Sequence, residues 1–153
     1  MDRKIVLVGN VSADRLMDLV RIRGTPEYEM EAVRSLVETG RIAEAADSLA
    51  SEAGRELILN FMQHSDFSKR LSALAVVEKA LDQSPNTVHA MTPSLLELLS
   101  HSDARIRGDV ADLLGKIGDP SAIPAIEPLM ADPDPDVAEA ASDAIADLRK
   151  QRS

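Results

Sequence analysis

The amino-acid sequence predicts an all-α fold, a right-handed superhelical stack of paired helices, with one short β-strand at the N-terminus. Three observations carry that expectation. The last third superimposes on itself at an offset of 31: Asp103 falls on Asp134, Ile106 on Val137, Val110 on Ala141, Leu113 and Leu114 on Ala144 and Ile145, and Ile117 on Leu148. Each apolar set runs i, i+4, i+7, i+8, i+11, one face of a helix. The same offset recurs one helix earlier, where Pro93, Leu95, Leu98 and Leu99 fall on Pro124, Ile126, Leu129 and Met130, so two helices repeat together. With 153 residues and 44% hydrophobic side chains, but only Tyr28, Phe61 and Phe67 as aromatics, the core is expected to be aliphatic. A single domain of this length buries about 70% of its unfolded surface.

In chain order, Lys4-Ile-Val-Leu-Val-Gly-Asn-Val-Ser12 reads as a short strand, a Gly-Asn turn and a Ser cap. Leu16, Leu19 and Val20 then give a small helix ending at Gly24, and residues 1–24 are set apart from a helical domain over 25–153. Thr25-Pro26-Glu27 supplies a cap and first turn, and Met30, Val33, Leu36 and Val37 form a face that ends at Gly40. Ile42, Ala45, Ala46 and Leu49 give a second face, and Leu57, Ile58, Phe61 and Met62 a third. These three faces are either degenerate repeats or a helical cap over the end of the stack.

Further on, helices are expected at 67–81, 88–100, 104–117, 121–131 and 135–149. Asp66, Arg70, Ala73, Val76, Val77 and Ala80 match Asp103, Arg107, Val110, Leu113, Leu114 and Ile117 at an offset of 37. The six extra residues, Asp82 to Thr87, are polar and read as a lengthened loop. Asp66, Asp103 and Asp134 each stand where a carboxylate can accept from the free N–H groups of a helix start. Pro135 suits the first helical position, and Gly118-Asp119-Pro120 closes the helix begun at Asp103.

Charge and composition exclude several functions. Seventeen basic against 26 acidic groups give a net charge of −9, the wrong sign for a sheath of phosphate contacts, so no nucleic-acid partner is expected. The absence of cysteine removes disulfides, thiolate metal sites and Cys-x-x-Cys redox centres from this chain. Ile5-Val6-Leu7-Val8 is too short for a signal peptide or membrane span. A soluble, cytoplasmic protein without membrane contact is the expectation.

Asp103-Ala-Arg-Ile-Arg-Gly-Asp-Val-Ala-Asp-Leu-Leu-Gly-Lys-Ile-Gly-Asp-Pro-Ser-Ala-Ile-Pro-Ala-Ile-Glu-Pro-Leu-Met-Ala-Asp132 resembles a HEAT-like repeat, in particular the short variety of phycobilisome lyase subunits. Asp134 to Ile145 resembles the opening helix of the next repeat. With a weaker copy at 54–100, the resemblance covers about two thirds of the chain. It implies a stack of helical pairs, and the same fold hosts binding proteins, lyase subunits and a few enzymes. Residues 4–20 resemble the last strand and helix of a thioredoxin-like domain, whose catalytic half would lie before Met1. The alternative for this strand is pairing with its twin in a homodimer or folding back on the helices.

Polar constellations read as structure. His64-Ser65-Asp66 recurs as His101-Ser102-Asp103. Equivalent positions of stacked helices lie about 10 Å apart, too far for two imidazoles to share one zinc ion. Sequence adjacency does not supply the geometry of a serine nucleophile either, so the triplet reads as a turn and cap. His89 adds no third convergent ligand. Asp132-Pro-Asp-Pro-Asp136, with Asp143 at the twelfth place, lacks calcium-loop chemistry, because Val137 stands where the sharp turn wants glycine. Gly108, Gly115 and Gly118 follow no predicted strand and make no phosphate loop. The iron-dependent deoxyhypusine hydroxylases, built of similar repeats, need His-Glu pairs that are absent here, and HEAT-like DNA glycosylases need a basic, aromatic-bearing channel.

A surface argument survives. In such a stack the second helix of each pair lines a concave face suited to a partner. Its outward residues are drawn from Ser94, Glu97, Ser100, Ala125, Glu127 and Pro128. Arg70 and Arg107 share one repeat position and either form an internal ladder with carboxylates such as Asp103, Asp109 and Asp119 or contact a partner. Residues 1–24 hold five basic and three acidic groups, and 101–153 hold six and eleven, which either favours a basic partner surface or is explained equally well by a merely solvated exterior. The expected function is a non-catalytic protein-interaction module, with no enzyme activity, no cofactor and an unidentified protein partner. The alternatives are the regulatory tail of a thioredoxin-like redox protein or a bilin lyase subunit.

Overall fold

The computed structural model describes residues 26–151. The expected strand and helix of residues 1–24 lie outside them. The described elements are α1 (Pro26–Glu38), α2 (Ile42–Asp47), a 3-10 turn (Ser48–Ala50), α3 (Glu52–Met62), α4 (Phe67–Gln83), α5 (Pro85–His89) and α6 (Thr92–Leu98). They continue with α7 (Ala104–Ile117), a 3-10 turn (Pro120–Ala122), α8 (Ile123–Ile126), a second 3-10 stretch (Glu127–Ala131) and α9 (Pro135–Lys150). Among the described residues there are only helices, and the all-α repeat architecture stands.

Helix starts follow the chemistry of free backbone donors. Asp66 accepts from the N–H of Ser68, Asp103 from that of Arg105 and Asp134 from that of Asp136, at 2.8, 2.9 and 2.9 Å. Asp119 does the same for Ser121, and Ser51 accepts from Gly54 at the start of α3. Gly118 ends α7 at φ +79°, a left-handed conformation that glycine adopts without steric penalty. Pro135 is the first residue of α9, where its missing N–H costs nothing.

Packing follows the repeat. Helices α2, α4, α7 and α9 lie side by side as one layer, and α1, α3, α6 and the 123–131 segment form the second. The faces inferred from periodicity are buried: Ile106, Val110, Leu113, Leu114 and Ile117 on α7 meet Val137, Ala141, Ala144, Ile145 and Leu148 on α9. Gly115 allows that contact its closeness, because a Cβ there would sit 2.9 Å from the Ala144 Cα. Upstream, Val33, Val37, Ala45, Ala46, Leu49, Leu57, Ile58, Phe61 and Met62 join the same continuous core, so residues 26–62 extend the stack.

Two expectations are corrected. The polar stretch 82–87 is not a long loop: α4 runs to Gln83, Ser84 alone breaks the chain direction, and Pro85 opens α5. The second helices are also not continuous. Residues 88–100 are divided at Ala90–Met91 between α5 and α6, the latter restarting with Pro93 in its first turn. Residues 121–131 resolve into 3-10, α and 3-10 pieces. Pro124 and Pro128 lack the N–H groups that would bond to the carbonyls of residues 120 and 124, so the ladder cannot propagate.

Candidate interaction surfaces

The repeated triplet builds one corner twice. His64 Nδ1 accepts from the Asp66 N–H at 3.0 Å, and His101 Nδ1 from the Asp103 N–H at 3.0 Å. Four residues into the following helix an arginine reaches back. Arg70 Nη1 donates to the carbonyls of His64 and Ser65 at 3.0 and 3.1 Å, and Arg107 Nη1 to those of His101 and Ser102 at 2.9 and 3.2 Å. Each guanidinium therefore satisfies carbonyl groups that the turn leaves without backbone donors.

The same arginines also reach forward. Arg70 Nε donates to Asp109 Oδ2 on α7 at 3.3 Å, and Arg107 grips both oxygens of Asp132 at 2.9 Å. The forked pair is the stronger kind, and it holds the Asp132 carboxyl below the usual carboxylate range. Asp109 responds oppositely: burial pushes its pKa up against the pull of Arg70. Arg70 is only 4% exposed. Both arginines are thus engaged within the chain. Of the carboxylates named beside them, Asp109 pairs with Arg70, Asp103 with Arg105 at 2.7 Å, and Asp119 caps Ser121. The Arg105 guanidinium and backbone N–H hold the Asp103 pKa down at about 2.

Sequence reasoning missed Asp132 as the partner of Arg107. The signal was present, since Asp132 stands 31 residues after His101 and takes over its task by accepting from the Asp134 N–H at 2.9 Å. The repeat position that Asp132 fills is held one repeat earlier by His101, and Arg70 pairs with Asp109 instead.

On the second-helix layer a groove of about 540 Å³ lies between α3 and α6. Leu59, Met91 and Leu98 give it apolar surface, and Glu52, Glu56 and Glu97 place carboxylates around it. Arg55, its one cation among the described residues, donates to the carbonyls of Leu49 and Ala50 at 2.8 and 3.1 Å. Ser94 and Glu97 line this groove, while Ser100, Ala125, Glu127 and Pro128 are exposed beyond it. Glu127 approaches Arg149 at 3.6 Å.

Among the described residues no three His, Asp or Glu side chains converge as a metal site, and no helix is long and apolar enough to cross a membrane. The fold and corners define a stack of short helical pairs tied repeat to repeat by arginine. The family model described as HEAT repeats matches residues 55–146, and the chain belongs to that family. HEAT repeats generally serve as protein-interaction scaffolds. Among solved structures, the crystal structure of an engineered protein is similar in fold, with a TM-score of 0.51 at 20% identity over 91% of this chain. The chain spans 64% of that protein's length. No curated protein matches this sequence.

Proposed function

We propose that this chain is a non-catalytic protein-interaction module that holds a partner polypeptide along its second-helix face, centred on the groove between α3 and α6. The observation that carries this reading is that groove. It offers about 540 Å³ beside exposed Ser94 and Glu97, and its cation is already tied to backbone carbonyls. Ser100, Ala125, Glu127 and Pro128 extend the same face toward the C-terminal repeats. The fold supports the reading because a stack of helical pairs presents a long surface without needing a catalytic constellation.

The test places a photo-activated cross-linking side chain at Ser94 in the full chain in its source cells and identifies the captured protein by mass spectrometry. One stoichiometric partner, lost when Glu56→Arg and Glu97→Arg are combined, is the expected result. Capture unaffected by those reversals would overturn the assignment of the face, and turnover of a defined substrate abolished by them would overturn the non-catalytic reading.

A further inference from the structure

A second groove lies on the opposite layer. It lies where the start of α4 faces α7 and α9 and has a volume of about 570 Å³. Its floor is apolar and shallow in side chains: Ala104, Gly108, Val137 and Ala140. Gly108 leaves it open, since a Cβ there would meet only Val137 Cγ2, at 3.8 Å. One end is Phe67, 65% exposed, and Leu71 follows one turn later at 53%. These two are among the few large hydrophobic side chains left in water, and neither belongs to the apolar register of α4.

The walls are acidic. Asp136, Glu139 and Asp143 stand at i, i+3 and i+7 of α9, and all three line the groove without an ion pair among the described residues. Asp109 and Asp112 face them from α7. The two guanidiniums present are already paired, Arg70 with Asp109 and Arg105 with Asp103, and Lys116 neutralises part of Asp112. Uncompensated carboxylates around an apolar floor favour a cationic occupant that also carries hydrocarbon.

We propose that this groove between α4, α7 and α9 docks a lysine- or arginine-rich amphipathic segment of a partner protein, with an aliphatic side chain seated over Gly108 against Phe67 and its cations on Asp136, Glu139 and Asp143. The surface is separate from the groove between α3 and α6, so it stands or falls independently of the function proposed above. Each end of the interaction has its chemistry assigned: burial of the aliphatic anchor supplies affinity, and the carboxylates set the sign of the partner.

The probe is a fluorescein-labelled synthetic helix-forming peptide with lysine on one face and leucine on the other, titrated into the full chain and read by fluorescence anisotropy. Saturable binding that weakens with added salt is expected, with no binding by the same peptide carrying glutamate for lysine or serine for leucine. Glu139→Lys combined with Asp143→Lys should weaken it about tenfold, and Phe67→Ala by a similar factor. Glu38→Lys, an exposed carboxylate in neither groove, should leave it unchanged. Equal loss from Glu38→Lys would reduce the effect to net charge and overturn the proposal, as would binding indifferent to Phe67→Ala. A photo-reactive benzoylphenylalanine at position 67 separates the occupants by mass. A peptide adduct supports the proposal, whereas capture of residues 1–24 of the same chain or of a second copy would assign the groove to those occupants instead.

Discussion

Arg70 is the residue on which one corner and one inter-repeat contact both depend. Its guanidinium serves two carbonyls and a carboxylate at once while almost wholly buried. Arg70→Ala strands those acceptors and should lower stability by about 3 kcal/mol, read from the urea midpoint. Arg70→Lys should recover little, because an ammonium lacks the planar fork that serves divergent acceptors. The acid response follows from the neighbouring carboxyls. Asp103, Asp119 and Asp132 have lowered folded-state pKa values, so their contribution is complete above about pH 4 and is lost as pH falls toward about 2, the folded value for Asp103. Asp109 acts in the reverse sense, since its raised pKa makes the folded state the tighter proton binder. Arg105→Ala removes the largest cause of the Asp103 depression and should flatten the acid limb of a stability curve measured between about pH 5 and pH 2. An unchanged limb would assign the acid sensitivity to other carboxyls.

At the scale of the helix, close approach and periodicity decide the outcome. Gly115→Ala puts a methyl against Ala144 and should cost about 1–3 kcal/mol by forcing α7 and α9 apart. Leu114→Ala and Ile126→Ala, each removing a fully buried side chain, should cost about 2–5 kcal/mol in urea denaturation. A midpoint that does not move for any of the three would contradict the packing. The first helices of each pair were legible because burial, capping and the apolar stripe all point to the same register, as Ile106 to Ile117 on α7 and Val137 to Leu148 on α9 show. The second helices were only partly legible. Periodicity reports which side chains face inward and does not register whether the backbone ladder survives, so Leu95 and Ile126 were placed correctly on helices that Pro93, Pro124 and Pro128 cut short. The outer groove left almost no trace in the sequence, because its walls come from residues as far apart as Phe67 and Asp143 and depend on interhelical spacing. Phe67, apolar yet outside the stripe of its helix, was the one available hint.

Across the whole molecule, stability is distributed as a sum of neighbour contacts. Each pair touches the next through its core face, and Arg70–Asp109, Arg107–Asp132 and Lys116–Glu78 fasten successive pairs. Damage should therefore stay local. In native-state hydrogen exchange, Gly115→Ala should lower amide protection in α7 and α9 while α1 to α3 keep theirs; equal loss throughout would mean a single cooperative unit. The two layers are built on different plans. From Phe67 on, the first-helix layer contains α4, α7 and α9, of 17, 14 and 16 residues, whereas the layer facing them is made of α5, α6 and α8, of 5, 7 and 4 residues, with 3-10 pieces between. An unbroken helix resists stretching through its hydrogen-bond ladder, while a row of short pieces gives at each joint. Over these residues the stack is consequently a laminate with one stiff ply and one compliant ply. Bending should be taken up on the compliant side, so curvature there can change while the outer ply keeps its length.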